Sequence, residues 1–166
     1  MIHVIRKDED SKRINYNFDP KINLFYTEEN DLIIECDNPF ITFNIGDNCD
    51  LTTDDVCVIN AGSNCNIKTG NSCVVLNAED SCFETGRACI FHVSEGTFKV
   101  KGPAIVIHIP SMTVKEFKDS YFTLKTNGNG DPVYDFPPVK HTITIDGKDI
   151  EISHESFENL KKTLIK

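Results

Sequence analysis

The chain has 166 residues and a formal net charge of −9, from 17 Lys and Arg against 26 Asp and Glu. That length supports one domain with a real core, and the negative charge argues against sequence-independent attraction to nucleic acid or an anionic membrane while suiting a basic protein partner. No apolar stretch approaches the length of a transmembrane helix, and MIHVIRKDEDSKR lacks a signal-peptide core, so a cytoplasmic protein is expected.

Residues 1–40 are predicted to form strands that cap a larger body. INYNF and INLFY alternate weakly, and Leu32, Ile34 and Cys36 look like one rung of that body before Asp37-Asn38-Pro39 interrupts it. A cap is needed because an open end of stacked strands exposes unpaired edges.

From Ile41 the chain repeats every eight residues: ITFNIGDN, CDLTTDDV, CVINAGSN, CNIKTGNS, CVVLNAED, SCFETGRA, CIFHVSEG, TFKVKGPA, IVIHIPSM. The first, third and fifth places are mostly apolar or small, which is a short strand with one inward face. The sixth place is often glycine, expected to supply a positive φ at a corner. The two-residue hairpin signals Asn-Gly and Asp-Gly are absent from 41–110. The pattern predicts an all-β fold, a parallel β-solenoid with two short strands per 16-residue coil; an antiparallel sandwich is the alternative. Cys57, Cys73, Cys89 and Ile105 fall in one predicted inward ladder, and Ile59, Val75, Phe91 and Ile107 in the next. At Ser81-Cys82-Phe83 the cysteine comes one place late, which predicts a bulge or an outward Cys82.

The seven cysteines are odd in number and contain no C-x-x-C pair. This argues against a disulfide scaffold or a zinc knuckle. Reduced, stacked thiols acting as small core fillers are expected; redox sensing is the alternative reading.

The second and fourth places point outward. One sheet offers Asp50, Thr52, Asn66, Lys68 and Glu84. The other offers Val58, Val74, Ile90 and Val106 at the coil period, with Leu76 beside them. A regular apolar stripe of this kind is expected to be an interface. His92 and His108 are predicted to share an outward column, and a groove beside them is where an enzymatic site would lie. Asp47, Asp54, Asp55, Glu79 and Asp80 gather at corners, as solvated edges or as a surface for a basic partner.

The solenoid and its second cap, MTVKEFKDSYFTLKT, span 41–125. Residues 126–141 read as a turn-rich linker. Residues 142–166 read as a hairpin with Ile143 and Ile145 against Ile150 and Ile152 around Asp146-Gly147, then a helix capped by Ser153. Phe157, Leu160 and Leu164 form its apolar face, so the helix must dock, on the Val58–Val106 stripe or on another chain.

No phosphate loop, dinucleotide fingerprint, nucleophile elbow or metalloprotease motif is present. No catalytic residue, metal or cofactor is assigned. The Gly62–Gly70 stretch GSNCNIKTG resembles cysteine-rich short β-helical repeats in tailed-bacteriophage proteins, and TITIDGKDIEISHESFENLKK resembles a terminal segment of small phage proteins. The resemblance implies an accessory phage protein in the cytoplasm of an infected bacterium, with a virion component as the alternative. The expected function is non-enzymatic protein–protein binding, by a homo-oligomer or with another protein.

Overall fold

The computed structural model describes residues 1–8, 13–138, 140–145 and 148–164. Contacts divide it into two units, Met1–Asp135 and Phe136–Lys166.

The first unit is a parallel β-solenoid. Its strands in chain order are β1 (Ile2–Arg6), β2 (Asn17–Asp19), β3 (Leu24–Tyr26), β4 (Leu32–Cys36), β5 (Thr42–Ile45), β6 (Asp50–Thr52) and β7 (Val58–Ala61). They continue with β8 (Asn66–Lys68), β9 (Val74–Leu76), β10 (Ser81–Thr85), β11 (Cys89–Val93), β12 (Gly96–His108), β13 (Thr113–Thr126) and β14 (Pro132–Asp135). A first face stacks β4, β6, β8, β10 and the start of β12 in parallel. A second face stacks β3, β5, β7, β9, β11 and the end of β12. The long β12 runs through the corner and belongs to both.

Like positions sixteen apart pair as the repeat predicts, with Leu51 on Ile67 and Ile67 on Phe83 in the first face, and Ile59 on Val75 and Val75 on Phe91 in the second. All of these side chains are at most 2% exposed. Ser81 takes the inward first place of its octet, and Cys82 points outward without a bulge, paired with Asn66. Two local departures follow. Asn77 turns outward with φ 59°, and Ala78 fills the inward site that its octet assigned to Asn77. Between β11 and β12 the corner loses one residue, so Phe83 pairs with Phe98 and Phe91 with Val106, fifteen apart.

The corners correct the role expected of glycine. Gly46, Gly62, Gly70 and Gly86 do not have positive φ. The left-handed conformation falls instead on the eighth place, at Asn48, Val56, Asn64, Ser72, Asp80 and Ala88, with φ between 48° and 58°. The glycines are required by close approach. Asp55 Oδ1 accepts the Asn71 N–H at 2.6 Å, and Asn71 Oδ1 accepts the Arg87 N–H at 2.8 Å. At the opposite corner Asn30 Oδ1 accepts the Asp47 N–H and Asp47 Oδ1 accepts the Ser63 N–H, each at 2.8 Å. A Cβ on Gly70 would lie 2.0 Å from Asp55 Oδ1, and one on Gly62 would lie 2.1 Å from Asp47 Oδ1. The corner Asp and Asn side chains therefore cross-link consecutive coils, and glycine leaves them room.

The cysteines are free, and all but Cys82 are buried. Their position is polar as well as small. The Cys65 thiol donates to the Ser63 and Gly46 carbonyls at 3.6 and 3.4 Å, and Cys73 donates to Asn71 and Asp54 carbonyls at 3.5 Å each. The same two-carbonyl pattern recurs at Cys49, Cys57 and Cys89. The Cys57 N–H donates to Cys73 Sγ at 3.4 Å, and the Cys65 N–H donates to Ser81 Oγ at 3.0 Å. A thiol at the first place thus gives corner carbonyls a further donor, beside the backbone N–H that the Ser63, Asn71 and Arg87 carbonyls already accept, and its sulfur can accept a backbone N–H, which a valine could not do.

Burial pushes Cys49 up and takes Cys65 to about 11; Cys73, hydrogen-bonded between Cys57 and Cys89, is also raised. An unfolded thiol titrates near about 8.5. For these three thiols the unfolded chain loses protons first, and the stability they contribute below that pH declines as pH rises toward about 11. Cys57 and Cys89, held down to about 6 by hydrogen bonding with Cys73, act in the opposite sense below that window. Denaturant midpoints should fall across this window. In thiol titration at neutral pH, Cys82 alone should react in the folded protein and the other six only after unfolding. Several fast-reacting thiols in the native protein would contradict the buried ladder.

Both ends are closed. β1 lies antiparallel on β4, and β2 lies antiparallel on β3. At the other end β13 runs antiparallel along the whole of β12, with one register shift between Val100 and Pro103. β14 then pairs with the end of β13, which takes Pro132–Asp135 of the expected 126–141 linker into the sheet. Phe98 stacks on Phe122 at 4.8 Å and on Phe83 at 4.7 Å, joining the last coil to the cap.

The second unit is a hairpin of β15 (Lys140–Ile145) and β16 (Lys148–Ser153) followed by α1 (His154–Leu164). The Asp146-Gly147 turn lies outside the described residues. Ser153 Oγ accepts the Ser156 N–H at 3.2 Å, which is the expected N-cap. Phe157 stacks on His141 at 4.0 Å with the rings 9° from parallel, so the helix docks on its own hairpin.

Candidate functional site

The two outer faces differ sharply in charge. On the first face Glu84 meets Lys99 Nζ at 3.2 Å, Lys68 at 3.5 Å and Lys101 at 3.7 Å. The hydrogen bond from Lys99, then the neighbouring charges of Lys68, Lys99 and Lys101, holds its carboxyl below the ordinary value. Glu84, Lys68 and Lys99 line an open groove of about 420 Å³ with Asp50, Thr52, Asn66, Cys82 and Tyr121. Long, well-exposed charged side chains of this kind are a solvated surface.

The second face carries the apolar stripe, with one correction. Val58 is 37% exposed, and Val74, Leu76 and Ile90 are partly exposed in the same outward columns. Val58 pairs with Val74 and Val74 with Ile90. Val106, expected to continue the stripe, is 0% exposed and points into the core. The shortened corner at Ser94-Glu95 is the reason, because a shift of one residue turns every following side chain to the other face. Ile105 takes the vacant place beside Ile90, and Ile107 takes the place beside His92.

The same shift separates His92 from His108. His92 stays outward and half-buried; His108 is fully buried, so the expected histidine column and the enzymatic groove beside it do not form. His108 Nε2 lies 2.9 Å from Thr126 Oγ1, whose hydroxyl donates to the Ser94 carbonyl, so Nε2 carries the proton. Nδ1, 2.7 Å from Ser111 Oγ, is then the acceptor. Burial holds the His108 pKa below the ordinary value, against the nearby carboxylates of Asp131 and Glu95. His108 thus ties the β12–β13 turn to the end of β13.

From β5 to the end of β12 the outward places of the second face are Thr42, Asn44, Val58, Asn60, Val74, Leu76, Ile90, His92, Ile105 and Ile107. None is Asp, Glu, Lys or Arg, in a chain that is 26% charged. Charge returns at the rims, with Asp19 opposite Leu24, Glu116 opposite Ile105 and Lys118 opposite Pro103. A mainly apolar groove of about 570 Å³ opens at the β12 end, between Ile90, Ile105, Pro103 and Phe117. The sequence held a signal for Ile105 and Ile107, because Gly96, Phe98 and Val100 alternate with Thr97, Lys99 and Lys101 in a way that only the shorter corner reconciles.

The remaining expected interface residues belong to the second unit. Phe157 is half-buried against His141, with Lys161 Nζ 4.7 Å over its ring, and Leu160 is 42% exposed. The Leu164 side chain lies outside what is described. Among the described residues no group of three or more His, Cys, Asp or Glu is placed to hold a metal ion, and no helix is long and apolar enough to cross a membrane. Comparison with protein-family models, with characterised proteins and with solved structures finds no match to this chain.

Proposed function

We propose that this protein is a non-enzymatic scaffold that works by protein–protein contact through the second face of its solenoid. The observation that carries the reading is the uncharged outer surface, ten consecutive outward places long, in an otherwise strongly charged chain. Depletion of charge with retained large aliphatic groups is the composition of an interface core. Closely paired strands give it rigidity, so little ordering entropy opposes docking. The phage setting belongs to the same proposal: an accessory protein in the cytoplasm of an infected bacterium, or a structural part of a virion.

The test is site-specific photo-crosslinking of the full chain in cells of a bacterium that expresses it. A photo-reactive residue at Ile90 should form adducts with another polypeptide, and one at Lys68 on the first face should form few. Equal intermolecular yields at the two positions, or none from Ile90, would overturn the reading.

A further inference from the structure

We propose that the occupant of the second face is a second copy of this chain, docked face to face across a twofold axis that passes at β11; this rests on the protein-binding reading above. The first argument is charge. The chain carries a net charge of −9, so most ways of bringing two copies together meet like-charge repulsion. The second face is the exception, because its outward places from Thr42 to Ile107 contribute no charge. A neutral face is compatible with itself. A basic partner would find its complement elsewhere, at the corner carboxylates.

The second argument is shape. A twofold contact requires one patch to be complementary to itself. Here the outward columns are parallel, flat and periodic, so the valleys between strands of one copy can receive the ridges of the other. Sheets packed in this way lie about 10 Å apart. Centring the axis on β11 pairs Ile90 with Ile90 and sets Val74 of one copy against Ile105 of the other, which brings the most apolar rungs together. It sets Glu116 of each copy against the Val58 rung of the other at the rims and leaves Thr42 and Asn44 beyond the overlap, the polar border that interfaces retain. Five strands at about 4.8 Å spacing make a patch about 24 Å long. A patch of this size lies at the low end of specific interfaces, where weak and transient contacts fall.

The fold provides an internal control. Cys82 is the one exposed thiol, and it lies on the first face, away from the proposed contact. Sedimentation of the full chain from about 1 µM to about 200 µM should show a monomer–dimer equilibrium. Val74→Asp with Ile90→Asp should weaken it at least about 100-fold by burying unpaired charge, with the six buried thiols still protected. Independently, an Ile90→Cys, Cys82→Ser protein treated briefly with a short bismaleimide should become a covalent dimer, whereas the unmodified protein, offering only Cys82, should not. A monomer over the whole range would overturn the second copy as occupant; intermolecular adducts of Ile90 with a different protein would then leave the protein-binding reading standing. Adducts only within one chain would overturn both.

Discussion

Replacing Phe98 with Ala should lower the unfolding free energy by about 3–5 kcal/mol. Phe98 is fully buried and contacts three rings: Phe83 of the preceding coil, Phe91 across the core at 5.2 Å, and Phe122 of the cap. Removing it leaves a cavity in a core two strands thick, where the flanking backbone is held by ladders on both sides and cannot collapse inward. It also severs the aromatic chain that continues from Phe122 to Phe117 at 3.9 Å and on to Tyr134. A solenoid depends on its cap to close the last rung, so hydrogen exchange should show β13 and β14 losing protection before the coils of the middle. Urea denaturation followed by exchange would check both parts. A loss below about 1 kcal/mol would mean that the cap is not coupled to the coils through this residue.

The second large effect is expected at a regular rung. Ile67→Ala should cost about 2–4 kcal/mol, because Ile67 is 2% exposed and packs between Leu51 and Phe83 in the first-face ladder. Lys68→Ala, one residue on, should stay within about 0.5 kcal/mol, since Lys68 points to solvent and only shares Glu84 with two other lysines. The comparison is sharp because both residues sit in the same three-residue strand. Equal losses in chemical denaturation would show that the inward and outward assignment is wrong.

Much of the fold was legible because a repeat averages out local ambiguity. One five-residue alternation is weak evidence for a strand; consecutive octets with cysteine or its substitute in the first place are strong evidence for a stacked ladder. The same logic narrowed Cys82 to a bulge or an outward place; the structure takes the second, with Phe83 and Thr85 keeping the inward third and fifth places. Glycine was located correctly, but of the sixth places only Gly102, with φ 85°, has the positive φ expected there. Glycine spacing marks corners, but the cause is the Asp or Asn side chain of the neighbouring coil, a contact one coil away that no local propensity reports.

The candidate face was legible only as far as the repeat stayed in step. Val58, Val74, Leu76 and Ile90 are where the period puts them, whereas Val106 and His108 fall inside. A deletion of one residue in the Ser94-Glu95 corner is small in sequence and complete in effect, since side chains alternate with a period of two and no intermediate setting exists.

What the sequence by itself determined is therefore the periodic part: a parallel β-solenoid of 16-residue coils, reduced cysteines within it, strands closing its ends, and an apolar stripe on one outer face. Those features depend on the spacing of apolar and small residues, which the chain displays directly. The tertiary structure decided the rest: that the thiols satisfy corner carbonyls, that Ile105 and Ile107 rather than Val106 complete the uncharged face, and that His108 locks the cap. Each of these depends on which backbone groups and side chains meet across coils, and one residue more or less in a corner changes those meetings without disturbing the pattern on either side of it.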